Sequence, residues 1–129
     1  MGLFQRIFGA VARPDPGVRH PGGGFDSPAA AMADLVRRHN AANDIGWVDL
    51  TCSALGKRVC VQLCGDHLNT LLEELPPDVC ASLGLERVGD GLYRLPDASP
   101  AAVAATIDAL LTVHFELGVG YALAGSLEY

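Results

Sequence analysis

No apolar run in this 129-residue chain approaches the roughly 18 residues that a membrane span requires. The opening MGLFQRIFGA is interrupted by Gln5-Arg6, so it lacks the continuous apolar stretch of a secretory signal. These two absences lead to the expectation of a cytoplasmic protein whose four cysteines are reduced thiols. A basic surface is also missing from most of the chain. Residues 1–24 hold three arginines and one aspartate, a balance of +2. Residues 25–129 hold six basic and fourteen acidic side chains, a balance of −8. An acidic body argues against nucleic acid as a partner, because phosphate binding needs positive charge. No motif for nucleotides is present either. The GxG at Gly89-Asp90-Gly91 does not feed a helix, as a phosphate-binding loop must. No internal repeat organises the chain.

What is present suits one globular domain. Half of the residues are hydrophobic and 19% are charged, enough to build a modest core without staples. Three regions follow from composition. Residues 1–11 place Leu3, Phe4, Ile7 and Phe8 at helical spacing, with Gln5 and Arg6 opposite. This segment either contacts a membrane surface peripherally through those four side chains or docks on its own domain or on a partner. Arg6 breaks the myristoylation pattern. Residues 12–24, rich in proline and glycine, read as a linker. Residues 25–129 form the domain.

Within the domain, Ser27-Pro28 starts a helix whose Met32, Leu35, Val36 and His39 share one face. His39 reads as a helix-end histidine rather than a ligand. A hairpin follows. Val48, Leu50, Cys52 and Ala54 alternate with polar residues, as do Val59, Val61 and Leu63 with Cys60, Gln62 and Cys64. Taking Gly56-Lys57 as a type II′ loop pairs Cys52 with Val61 and Leu50 with Leu63. Cys60 and Cys64 then sit four positions apart on one strand, with Cα atoms ~13 Å apart. That is too far for a disulfide or a shared zinc, so no metal and no cofactor is expected. Asp66 is expected to cap a helix over 67–75 with Glu73 and Glu74 on its solvated face. A short helix ends at Gly84, and a second hairpin turns through Gly89–Gly91. The long helix 100–117 buries Val103, Ile107, Leu110, Leu111 and Leu117, with His114 at the edge of the stripe as a structural histidine. Tyr121, Leu123 and Leu127 fit one face of a last strand or an extended tail. The order α-β-β-α-(α)-β-β-α-(β) indicates an α+β fold, an antiparallel sheet of two hairpins packed against helices.

The phrases VCVQLCGDHLN at 59–69 and ASLGLERV at 81–88, and the long helix followed by GVGYAL, resemble the secretion-chaperone-like superfamily. That group comprises bacterial type III secretion chaperones, the YbjN family and the peptide-binding domains called TY-Chap. The likeness spans roughly residues 27–123, with Leu85 where the family has tryptophan. The resemblance implies a non-enzymatic, chaperone-like module that binds extended protein segments and often forms homodimers. For a binding module, the candidate surface is the sheet face bearing Trp47, Cys60, Gln62 and Cys64, which is neither clearly core nor clearly solvent; the alternative is that a helix covers it. The alternative readings are a thiol-dependent enzyme or redox sensor using Cys64 with His67, and a membrane-surface adaptor acting through residues 1–11.

Overall fold

A computed structural model describes residues 16–42 and 46–128. The expectations for residues 1–11, among them Leu3, Phe4, Ile7 and Phe8, lie outside the described residues. The chain runs β1 (Val18–His20), α1 (Pro28–Ala41), β2 (Trp47–Ala54), β3 (Lys57–Cys64), β4 (His67–Asn69), α2 (Pro77–Leu83), β5 (Glu86–Gly89), β6 (Leu92–Arg94), α3 (Pro100–Ala109) and β7 (Ala122–Glu128). A π-turn, Leu110–His114, extends α3. One antiparallel sheet joins the strands in the order β1-β7-β2-β3-β4-β6-β5. The fold is α+β, with the sheet packed against helices.

Helix α1 starts as its residues dictate. Ser27 Oγ accepts from the Ala30 N–H at 3.1 Å, and Pro28 occupies the first turn. Its inner face buries Ala31, Met32, Leu35, Val36 and His39. His39 Nε2 donates to the Gly46 carbonyl at 3.1 Å, which satisfies a buried ring beside the helix end.

The first hairpin has the expected faces but a different register. Val48 pairs with Leu63, Leu50 with Val61, Cys52 with Val59 and Ala54 with Lys57. The loop is Leu55-Gly56, with φ of 53° and 76°, the double positive φ of a type I′ turn. The expected pairing was displaced by two residues, which preserves parity and hence which side chains are buried. Leu55 is 86% exposed and held in a left-handed conformation that a γ-branched side chain disfavours. Replacing it with asparagine creates the Asn-Gly pair that this turn prefers. Leu55→Asn is expected to raise stability by about 1 kcal/mol, read as a higher urea midpoint with an unchanged slope.

The larger departure is at 66–75. Gly65-Asp66 is itself a two-residue turn, Gly65 at φ 58°, and the chain reverses into β4 instead of entering a helix. Cys64 pairs with His67 and Gln62 with Asn69, while the other side of β4 pairs with β6. Ladder bonds on both sides and the full burial of Leu68 override the helical spacing of the leucines. Asp66 therefore caps nothing: its carboxylate meets His67 Nδ1 at 2.8 Å, and its carbonyl accepts from Leu95 N at 2.6 Å. Beyond β4, Leu71 and Leu72 adopt φ of 55° and 74° and turn outward, while Thr70 and Leu75 turn inward. The stretch read as a linker also contributes structure, because Val18–His20 forms β1 on β7.

The remaining elements match the spacing of their residues. Gly84, at φ 70°, ends α2. Val103, Ile107, Leu110, Leu111 and Leu117 are buried along and after α3. His114 stands edge-on to Phe115 with ring centroids 4.8 Å apart. β7 lies between β1 and β2, and Tyr121, Leu123 and Leu127 face the core. Among the described residues, no helix is long and apolar enough to cross a membrane.

Candidate functional site

Strand alternation gives the sheet two unlike faces. One carries Val48, Leu50, Cys52, Val61, Leu63, Leu68, Leu123 and Leu127, and all of these belong to the core that the helices cover. α2 packs at its margin through Val79 and Leu83. The other face carries Trp47, Asp49, Thr51, Cys60, Gln62, Cys64, His67 and Asn69, and no described helix covers it.

A shallow hollow of about 280 Å³ lies on this open face, walled by Trp47, Gln62, Cys64, His67, Asn69 and Leu92. Each wall residue is placed by register. Gln62 and Asn69 are cross-strand partners, and Asn69 Nδ2 donates to Gln62 Oε1 at 3.3 Å. Asn69 Oδ1 accepts from Leu71 N at 2.8 Å, which fixes the orientation of the amide. Leu92 pairs with Asn69 from β6. Trp47 begins β2 and is 38% exposed, a large apolar ring presented to solvent. Three of the four residues expected on this face from sequence thus line one hollow.

Cys60 lies apart from it. Its register partner is Thr51, whose Oγ1 is 3.8 Å from the Cys60 sulfur. It borders a second depression, with Arg58, Val59, Thr70, Glu73 and Phe115. His67 was expected beside Cys64 only at a strand-to-helix corner, and Asn69 and Leu92 were not expected on this face, because 67–75 read as a helix and β4 was not foreseen. The Gly65-Asp66 dipeptide between two apolar stretches was the signal for the turn.

The chain matches no family model, no curated protein and no solved structure.

The thiols divide by environment. Cys64 is exposed, and its sulfur donates to the Gly46 carbonyl at 3.5 Å. It faces His67 across the hairpin, and His67 is oriented by Asp66. Register has therefore brought a thiol, an imidazole and a carboxylate to one corner, but the thiol proton is directed to a backbone carbonyl. Cys52 is fully buried in the core, and burial pushes its thiol up to about 12.

Behind the second depression, Glu74 ties the strap after β4 to the β5–β6 hairpin. Its carboxylate accepts from Arg87 Nε at 2.9 Å, Arg87 Nη2 at 3.2 Å, Gly91 N at 3.0 Å and Tyr93 Oη at 3.3 Å. The Arg87 hydrogen bonds, then the Gly91 amide, hold this carboxyl down at about 2. Glu74 was expected on a solvated helical face; it is instead the knot that fixes the strap. Gly91 is required there, since a Cβ would lie 2.6 Å from the Leu72 backbone.

Proposed function

We propose that this chain is a non-enzymatic, chaperone-like module that binds a segment of another protein on the open face of its sheet. The observation that carries this reading is the exposed Trp47 beside a hydrogen-bonded amide pair, Gln62 and Asn69, on a sheet face that no described helix covers. An aromatic ring gives area at low entropic cost, and fixed amides recognise peptide groups. The same reading follows from the resemblance to secretion chaperones. The mixed polarity of the face suits a partner that comes and goes.

Screening a displayed library of seven-residue peptides against the full chain tests the proposal. Trp47→Ala is expected to weaken the selected peptides about tenfold or more, as removal of a central aromatic anchor does. Trp47 lies outside the buried core, so the variant should keep its thermal midpoint. Equal affinities for the two chains would discard the face as the binding surface.

A further inference from the structure

β3 is eight residues long but is flanked on both sides over only part of its length. β2 pairs with it from Lys57 to Leu63, whereas β4 reaches only Gln62–Cys64. In an antiparallel ladder, residues direct their N–H and C=O alternately to one neighbour and then the other. The Leu55-Gly56 turn makes Ala54 and Lys57 a hydrogen-bonded pair, so Lys57, Val59, Val61 and Leu63 bond to β2. Arg58, Cys60, Gln62 and Cys64 face the other way. The β3–β4 turn gives the same phase, because Cys64 and His67 close it. Gln62 and Cys64 meet β4. Arg58 and Cys60 have no strand opposite them among the described residues.

Space lies beside them. The second depression, about 300 Å³, opens between β3 and the strap Thr70–Glu73. Val59 and Phe115 give it an apolar floor. Its far wall is fixed: Thr70 N donates to Gly91 O at 2.8 Å, Thr70 Oγ1 donates to Glu73 O at 2.5 Å within the strap, and Glu74 knots the strap to the hairpin. The wall is therefore not free to collapse onto β3. Arg58 is exposed and makes no ion pair among the described residues.

We propose that this notch takes an extended segment of a partner protein as an added strand, bonded to the backbone of Arg58 and Cys60. The inference rests on the binding reading above and names how the partner is held. Unpaired donors and acceptors at alternate residues are complemented by extended backbone. The partner residue opposite Val59 places an apolar side chain toward Val59 and Phe115. Its neighbour opposite Arg58 lies on the open face and is acidic, since opposite charges stabilise a cross-strand pair.

Amide-resolved hydrogen exchange of the full chain, with and without the selected seven-residue peptides, tests this. The Arg58 and Cys60 amides are expected to slow at least about tenfold on binding, while Val59 and Val61, already bonded to β2, do not change. N-methylation of the peptide should abolish binding at every second residue and be tolerated between. That result establishes an added strand. Peptides that need Trp47 yet leave Arg58 and Cys60 unchanged overturn this inference and leave the open-face reading standing. Failure to select any peptide overturns both. Slowing in the chain alone that grows with protein concentration would make a second copy the occupant, and would overturn the partner-segment assignment.

Discussion

Gly125→Val is expected to cost about 3 kcal/mol or more, the upper range for forcing atoms into a packed core. Gly125 pairs with Val18 on one side and Leu50 on the other, directly beneath α1. A Cβ added there would stand 2.8 Å from Leu35 Cδ2, 3.0 Å from Leu50 Cδ2 and 3.3 Å from Val18 Cγ2. Leu35 and Leu50 are themselves buried, so neither can swing into solvent. Gly125→Ala should show the same effect in smaller measure, about 1–2 kcal/mol. The mechanism is separable from lost strand pairing. Leu35→Ala alone should cost about 2–5 kcal/mol, and Gly125→Ala added to it should cost less than Gly125→Ala alone, because the nearest of the three opposing groups is gone while Leu50 and Val18 remain. Urea unfolding of the four chains gives the coupling. Strict additivity would mean that α1 does not rest on this glycine.

The second large effect is a loss of stability in alkali. Cys52 is buried in the core, and its thiol is raised from 9.0 to about 12, first by burial, then by Cys60 and Asp108. Tyr121 is also raised, by burial and by its hydrogen bond to Asp108 at 2.7 Å. Both groups hold their protons longer in the folded state than in the unfolded state. Above pH 9 the unfolded chain therefore binds fewer protons, and stability falls as pH rises. The Cys52 contribution is complete below about pH 9 and is lost by about pH 12, on the order of 4 kcal/mol. Tyr121 joins above its ordinary value of 10.0. Cys52→Ala should make the profile shallower from pH 9 to about 12, leaving the fall that Cys80 and Tyr121 contribute. Parallel profiles for the two chains would refute the assignment.

Long elements with a clear period were legible in the sequence, as was the second hairpin through its glycine turn, whereas the three-residue strands β1 and β4 were not. The alternation of 48–54 and 59–64 placed the side chains of the first hairpin on their correct faces, while Lys57, read as part of the loop, belongs to β3. The Ser27-Pro28 start and the Gly84 stop came from local chemistry that tertiary structure did not override. β1 and β4 were missed because three residues are too few to show a period. Val18–His20 was masked by neighbouring proline and glycine, and His67–Asn69 by leucines spaced as in a helix. The hairpin register slipped because propensity does not choose leucine for a left-handed position, yet Leu55 occupies one. The site was read in the same proportion. Trp47, Gln62 and Cys64 were legible from β2 and β3. His67, Asn69 and Leu92 depend on pairings made by β4 and β6, which composition does not reveal.

The position of β7 carries a consequence for how the chain is made. It is the last strand in sequence, yet it lies between β1 and β2, and Val18 meets Gly125 across more than a hundred intervening positions. During synthesis the hairpin of β2 and β3 emerges with one flank bare and must wait for residues 122–128 before that flank closes. Until residues 122–128 emerge, a nascent chain therefore offers that bare flank to wrong pairing.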